Sequence, residues 1–133
     1  MLKLSKRADY GLMAVNHLAR HRGEPAASAK GIAGTYRIPP ELMAKVLQRL
    51  AKAGLLVSVH GTHGGYKLAR PAEFISALDV IHAVDGPVMI TSCKTSHGDC
   101  QQGPVCTVKE PLRRVNERIL RALTELSIAQ MNA

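Results

Sequence analysis

Residues 38–70 constrain the fold more tightly than any other stretch. Ile38-Pro39-Pro40-Glu41 reads as a helix start, since proline is favoured at the first helical position and an acidic group suits the first turn. Leu42, Val46, Leu47 and Leu50 follow as an apolar stripe at helical spacing, and Gly54 ends the helix. Lys45, Gln48, Arg49 and Lys52 lie off that stripe. Residues 55–59 and 66–69 then read as two short strands, and His60-Gly-Thr-His-Gly-Gly65 between them supplies the glycines a hairpin needs.

Upstream, Ser28 opens a weak helix to about Tyr36, lowered in intrinsic stability by Gly31 and Gly34. Two short helices joined by a tight turn and followed directly by a hairpin make a winged helix-turn-helix. Its second helix would enter a major groove while the wing touches the DNA backbone or minor groove. The expected contacts to double-stranded operator DNA are Ser28, Pro40, Glu41, Lys45, Gln48 and Arg49 from the helix pair. His60, Thr62, His63 and Lys67 are expected from the wing. A further helix precedes the pair, capped by Ser5 and running to about His21, with Ala8, Leu12, Val15, Leu18 and Ala19 as its apolar stripe. Asp9 lies in its first turn, where the helix dipole favours a carboxylate.

Charge supports a polyanionic partner. The net charge is +8, and residues 1–70 hold twelve Lys/Arg against Asp9, Glu24 and Glu41, whereas residues 71–133 hold six against seven acidic groups. With one Phe, three Tyr and no Trp, the core must be built from Leu, Ile, Val, Ala and Met. No apolar run approaches the roughly 20 residues of a membrane span, and the N-terminus lacks a signal-peptide pattern, so a cytoplasmic protein without membrane contact is expected. The sequence supplies no paired acid and base, nucleophile motif or phosphate loop, so it does not read as an enzyme.

All three cysteines, Cys93, Cys100 and Cys106, fall within fourteen residues rich in Ser, Gly, Asp, Gln and Pro. This segment reads as a loop. In a reducing compartment an odd set of thiols among polar residues favours metal or cluster ligation over a disulfide or an inert role. The six and five intervening residues are wide for zinc knuckles and suit a larger iron–sulfur cluster, which however wants four ligands. A zinc site using Cys93, His97, Cys100 and Cys106, or a DNA-binding protein with no metal, are the alternatives. Before the loop, Ser76 and Asp79 open a helix over residues 77–84, with Leu78, Ile81 and Val84 as core and Gly86-Pro87 as its end. After it, Thr107-Val-Lys-Glu110 is a capping box for a helix to about Ala129. Its Leu112, Val115, Ile119, Leu123 and Leu126 form a coiled-coil-like seam, which favours a homodimer over packing back on the N-terminal helix.

The expected fold is therefore mainly α with a small β-hairpin wing, a winged helix-turn-helix plus a long C-terminal dimerisation helix. The expected organisation is a DNA-binding domain over residues 1–86, a cysteine-rich cluster-binding loop over 87–107 and a dimerisation helix over 108–133.

Leu4-Ser-Lys-Arg-Ala-Asp9-Tyr-Gly-Leu, Leu47-Gln-Arg-Leu-Ala-Lys-Ala-Gly-Leu-Leu-Val-Ser and Gly61-Thr-His-Gly-Gly-Tyr-Lys-Leu-Ala-Arg-Pro resemble the Rrf family of bacterial winged-helix regulators, the group containing IscR and NsrR. The likeness continues through Ile75-Ser-Ala-Leu-Asp-Val-Ile-His-Ala-Val-Asp-Gly-Pro into the cysteines. The wing and the cysteine spacing look most like the branch regulating the SUF system of iron–sulfur assembly, which implies a repressor of those genes. The resemblance implies that Cys93, Cys100 and Cys106 ligate a [2Fe–2S] or [4Fe–4S] cluster. A histidine three residues after the last cysteine completes the site in IscR, but here that position is Lys109. An aspartate of the partner's first helix serves in NsrR, and Asp9 falls at the matching place; His97 is a local rival, as is an exogenous ligand. His60 stands where arginine is frequent among relatives, which weakens one phosphate contact or makes it pH-dependent.

Overall fold

The computed structural model describes residues 5–62, 64–87 and 109–132. The chain runs α1 (Lys6–Arg20), α2 (Ala29–Tyr36), α3 (Pro40–Lys52), β1 (Leu56–Val59), β2 (Gly65–Leu68), a 3-10 turn (Ala72–Phe74), α4 (Ala77–Asp85), α5 (Lys109–Glu125) and α6 (Ile128–Met131). The architecture is mainly helical with one antiparallel hairpin, as the sequence predicts. Helix starts follow local chemistry. Ser5, Ser28 and Ser76 cap α1, α2 and α4 through their hydroxyls, and Ser76 and Asp79 satisfy each other's backbone in a capping box.

One core joins α1, α2, α3, β1 and α4. Val15, Ile32, Met43, Leu47, Leu50, Leu55, Ile75, Val80 and Ile128 are all at or near full burial. Four expected apolar-stripe positions of α1, α3 and α4 are only half-buried: in α1 these are Leu12 and Ala19, while Gly11 and Ala14 are buried there. Leu42 is only half-buried and Met43 takes its place in α3; likewise Leu78 is half-buried and Val80 lies inside α4. The other expected positions, Val46, Leu47 and Leu50 in α3 and Ile81 and Val84 in α4, are buried as expected, so the difference is confined to one position in each of these two helices. Gly11 of α1 marks the closest approach: a Cβ there would lie 3.0 Å from Val84 Cγ2, 3.3 Å from Val80 Cγ1 and 3.6 Å from Val46 Cγ1.

The C-terminal helix does not run unbroken to Ala129. It ends at Glu125, and Ser127 caps the separate α6 in a capping box with Gln130. The break has a tertiary cause. Ala77 N–H donates to Leu126 O at 2.8 Å and Ile128 N–H to Ile75 O at 2.8 Å, so the chain turns back and buries Ile128 completely. The expected cap at Thr107 lies outside the described residues.

Candidate nucleic-acid interface

The helix-turn-helix presents an exposed polar face on α3. Met43, Val46, Leu47 and Leu50 face the core, so Glu41, Lys45, Gln48 and Lys52, spaced four, three and four apart, centre on the opposite side and are all exposed. Pro40 opens the helix, also exposed, with Pro39 before it. Arg49 lies about 100° round from Gln48, on the flank of this face, and its Nη1 donates to the Val84 carbonyl at 2.7 Å. Ser28 is exposed at the start of α2, its hydroxyl accepting from the Gly31 amide at 3.0 Å.

Two exposed basic residues outside the expected set flank this surface, Lys30 in α2 and Arg37 in the turn before α3. Arg37 has φ 57°, a left-handed conformation that normally selects Gly or Asn, and its amide closes α2 onto Ala33 O. Its place in the inter-helix turn was the available signal; nothing in its residue type pointed to that backbone.

The wing pairs Leu56 with Leu68 and Val59 with Gly65. It is tied to the start of α2 by a bridge in which Ala27 N–H donates to Tyr66 O at 3.1 Å and Tyr66 N–H to Ala27 O at 2.8 Å. Only glycine permits this: a Cβ on Gly65 would sit 2.3 Å from Ala27 O, and the residue has φ +154°. His60, Thr62 and Lys67 are exposed on the hairpin, and His63 lies outside the described residues. The bridge ties the wing to the segment that opens α2.

Behind the wing, a cleft between the end of α1 and β2 is lined by His17, His21, Arg22, Glu24, Tyr66 and Lys67, among others. His17 Nδ1 is 2.8 Å from the Tyr36 hydroxyl, and its ring stacks on His21 with centroids 4.2 Å apart. Burial, then the neighbouring His21, pushes the His17 pKa below its ordinary value, with Glu24 opposing.

At the other end of α1, Asp9 is exposed in the first turn, its amide donating to Ser5 O at 3.1 Å. Ser5 Oγ also donates to Asp85 Oδ2 at the end of α4, and Arg7 Nε lies 3.9 Å from Asp85 Oδ1. Asp9 thus lies one helical turn from the point where the chain leaves α4 toward the cysteines. Cys93, His97, Cys100 and Cys106 fall outside the described residues. Among the described residues no three His, Cys, Asp or Glu groups converge on a space fit for a metal, and no helix is long and apolar enough to cross a membrane.

The surface of α5 contrasts with the rest. Val115 is 44 % exposed, and Leu112, Ile119 and Leu123 are only half-buried. On its polar side Arg113 pairs with Glu110 at 2.9 Å and Glu117 at 2.5 Å.

Comparison with known proteins places this architecture. The model of the Rrf2 family, described as iron-dependent transcriptional regulators, matches residues 4–133. Protein rrf2 of Nitratidesulfovibrio vulgaris strain Hildenborough is 30% identical over 130 residues, 98% of this chain and 87% of that protein. Among solved structures, CymR (YrzC), the global cysteine regulator of B. subtilis, superposes with a TM-score of 0.80 at 26% identity, covering 99% of this chain and 97% of that one. T. potens IscR superposes with a TM-score of 0.78 at 30% identity over 98% of this chain and 85% of its own. The two scores are nearly equal, so the shared fold does not by itself choose between their signals.

Proposed function

Since the chain belongs to the Rrf2 family of transcriptional regulators, we propose that it is a homodimeric, DNA-binding repressor of iron–sulfur assembly genes whose operator affinity is set by a bound iron–sulfur cluster. That it is a DNA-binding regulator and not an enzyme follows from the family; the signal and the target genes are our reading.

Two copies of α3 would lie in successive major grooves, with Lys45, Gln48 and Glu41 nearest the base edges and Ser28 and Pro40 near the backbone. Glu41 can accept from a cytosine amino group, Gln48 can pair with adenine, and Lys45 can donate to guanine or to phosphate. His60, Thr62, His63 and Lys67 would follow the backbone from the wing. The incompletely covered stripe of Leu112, Val115, Ile119 and Leu123, with Val115 exposed, supports the dimer.

The observation that carries the cluster reading is the confinement of all three thiols to one segment that leaves α4 beside the start of α1. The donor set fits: thiolates suit iron–sulfur ligation, and Asp9 is a carboxylate exposed on α1, open to a second copy. A bound cluster supplies redox- and iron-sensitive occupancy. Cys93, Cys100 and Cys106 would hold it, with Asp9 of the partner subunit as the fourth ligand. Asp9 sits on α1, which packs on α3 and α4, so any pull on it reaches the DNA-reading helix. By linkage, a ligand that favours one arrangement of that unit changes DNA affinity, and DNA changes ligand affinity equally.

Anaerobic purification with a visible spectrum and iron and sulfide analysis, on wild type and Asp9→Ala, tests the reading. A brown wild type whose bands shift in Asp9→Ala, and whose DNA affinity changes when the cluster is removed, is expected. Colourless protein carrying zinc would replace it with a structural site that includes His97. Equal DNA affinity with and without cluster would sink the coupling.

A further inference from the structure

We propose that Arg49 is a positioning residue rather than a reader of DNA: it fixes how α3 is presented by holding the last turn of α4. The inference rests on the DNA-binding reading of the α3 surface. Arg49 is turned away from the centre of that face, which Glu41, Lys45, Gln48 and Lys52 occupy. Its Nη1 meets the Val84 carbonyl at 2.7 Å, a separation typical of a charge-assisted bond. Val84 belongs to the final turn of α4, whose last carbonyls have no partner within the helix, and a cation there also complements the helix dipole.

That turn is a junction. Ser5 and Arg7 at the start of α1 engage its Asp85, and a methyl group on Gly11 would press on Val84 at 3.0 Å and Val80 at 3.3 Å. Core packing sets the distance between α3 and α4 and favours a crossing angle, but apolar contacts are not directional and leave some freedom of rotation. A directional hydrogen bond from the third turn of α3 removes that freedom. Through it the end of α4, held on its other side by α1, sets the angle at which Lys45 and Gln48 meet the groove.

The test uses a nonspecific 26-base-pair duplex as probe and measures affinity across a sodium chloride series for wild type, Lys45→Met, Arg49→Met and Arg49→Gln. Only proteins whose circular dichroism matches wild type are compared, and the two Arg49 variants guard against one failing to fold. Removing a side chain that neutralises one phosphate lowers the slope of log affinity against log salt by about 0.9. Lys45→Met is the control for that loss. Both Arg49 variants are expected to bind about tenfold more weakly with the wild-type slope, as loss of one charge-assisted bond acting at a distance requires. A reduced slope in the Arg49 variants would make Arg49 a phosphate ligand and overturn the proposal. Unchanged affinity with unchanged slope would overturn it as well, leaving the bond merely structural. A wild type that shows no salt-dependent binding to the duplex would instead sink the DNA-binding reading itself, and is distinguishable on that ground.

Discussion

In α3 the stripe Met43, Val46, Leu47 and Leu50 is 1 % exposed or less, whereas α5 leaves Val115 44 % exposed and Leu112, Ile119 and Leu123 half-buried. Both helices are strongly amphipathic, so the pattern alone states that a face wants cover and not where the cover comes from. For α3 it comes from α1, α2, α4 and β1 of the same chain. For α5, α4 covers one side, and in the proposed dimer a second copy would cover the rest. On that reading the first helix belongs to folding of the monomer and the second to association.

Substitutions at the two stripes break or sharpen this contrast. Leu50→Ala removes a fully buried side chain and is expected to cost about 2–5 kcal/mol in urea unfolding. Its shift in midpoint should be the same at low and high protein concentration. Val115→Asp is expected to weaken dimerisation roughly a hundredfold by burying an unpaired charge at the seam, while circular dichroism of the monomer stays native. Sedimentation velocity reads it; a variant that sediments like wild type would remove α5 from the interface.

A smaller effect separates the arm from its anchor. Ser127→Ala removes one half of the α6 capping box and is expected to cost about 1 kcal/mol, read as faster amide exchange at Ile128 than at Leu50. Equal exchange would mean that α6 holds without its cap.

The smallest effect concerns the core side of the contrast. His17 has a pKa depressed on folding, so the unfolded chain binds the proton more readily between the folded value and the ordinary value near 6.5. Its stabilising contribution is present above that window and lost as pH falls through it. The unfolding midpoint should decline over that window more steeply in wild type than in His17→Gln; equal slopes would assign the decline to other histidines.

Much of this was legible in local chemistry. Ser5, Ser28 and Ser76 announce helix starts because a hydroxyl there satisfies an amide the helix cannot, and Pro40 is preorganised for a first turn. Gly64 and Gly65 announce the wing. Each described residue expected at the DNA surface is exposed, and Lys45, Gln48 and Glu41 share a face because 3.6 residues make a turn. What was not legible depended on neighbours distant in sequence. Met43 displaced Leu42 because the direction of burial is set by helices the stripe cannot name. The break at Leu126 had a local signal in the Ser127-x-x-Gln130 capping box, but it is fixed by hydrogen bonds to Ile75 and Ala77.

The sequence by itself determined the elements, their order, the basic half of the chain and the grouping of its thiols, because caps, periodicity and turn glycines act over a few residues. Only the tertiary structure decided that Arg49 spans to Val84, that Ser5 reaches Asp85 across the chain, and that Ile128 closes the core through its bond to Ile75. Those pairings lie 35, 80 and 53 residues apart, beyond the reach of any local rule, and they exist because packing first brought the elements together.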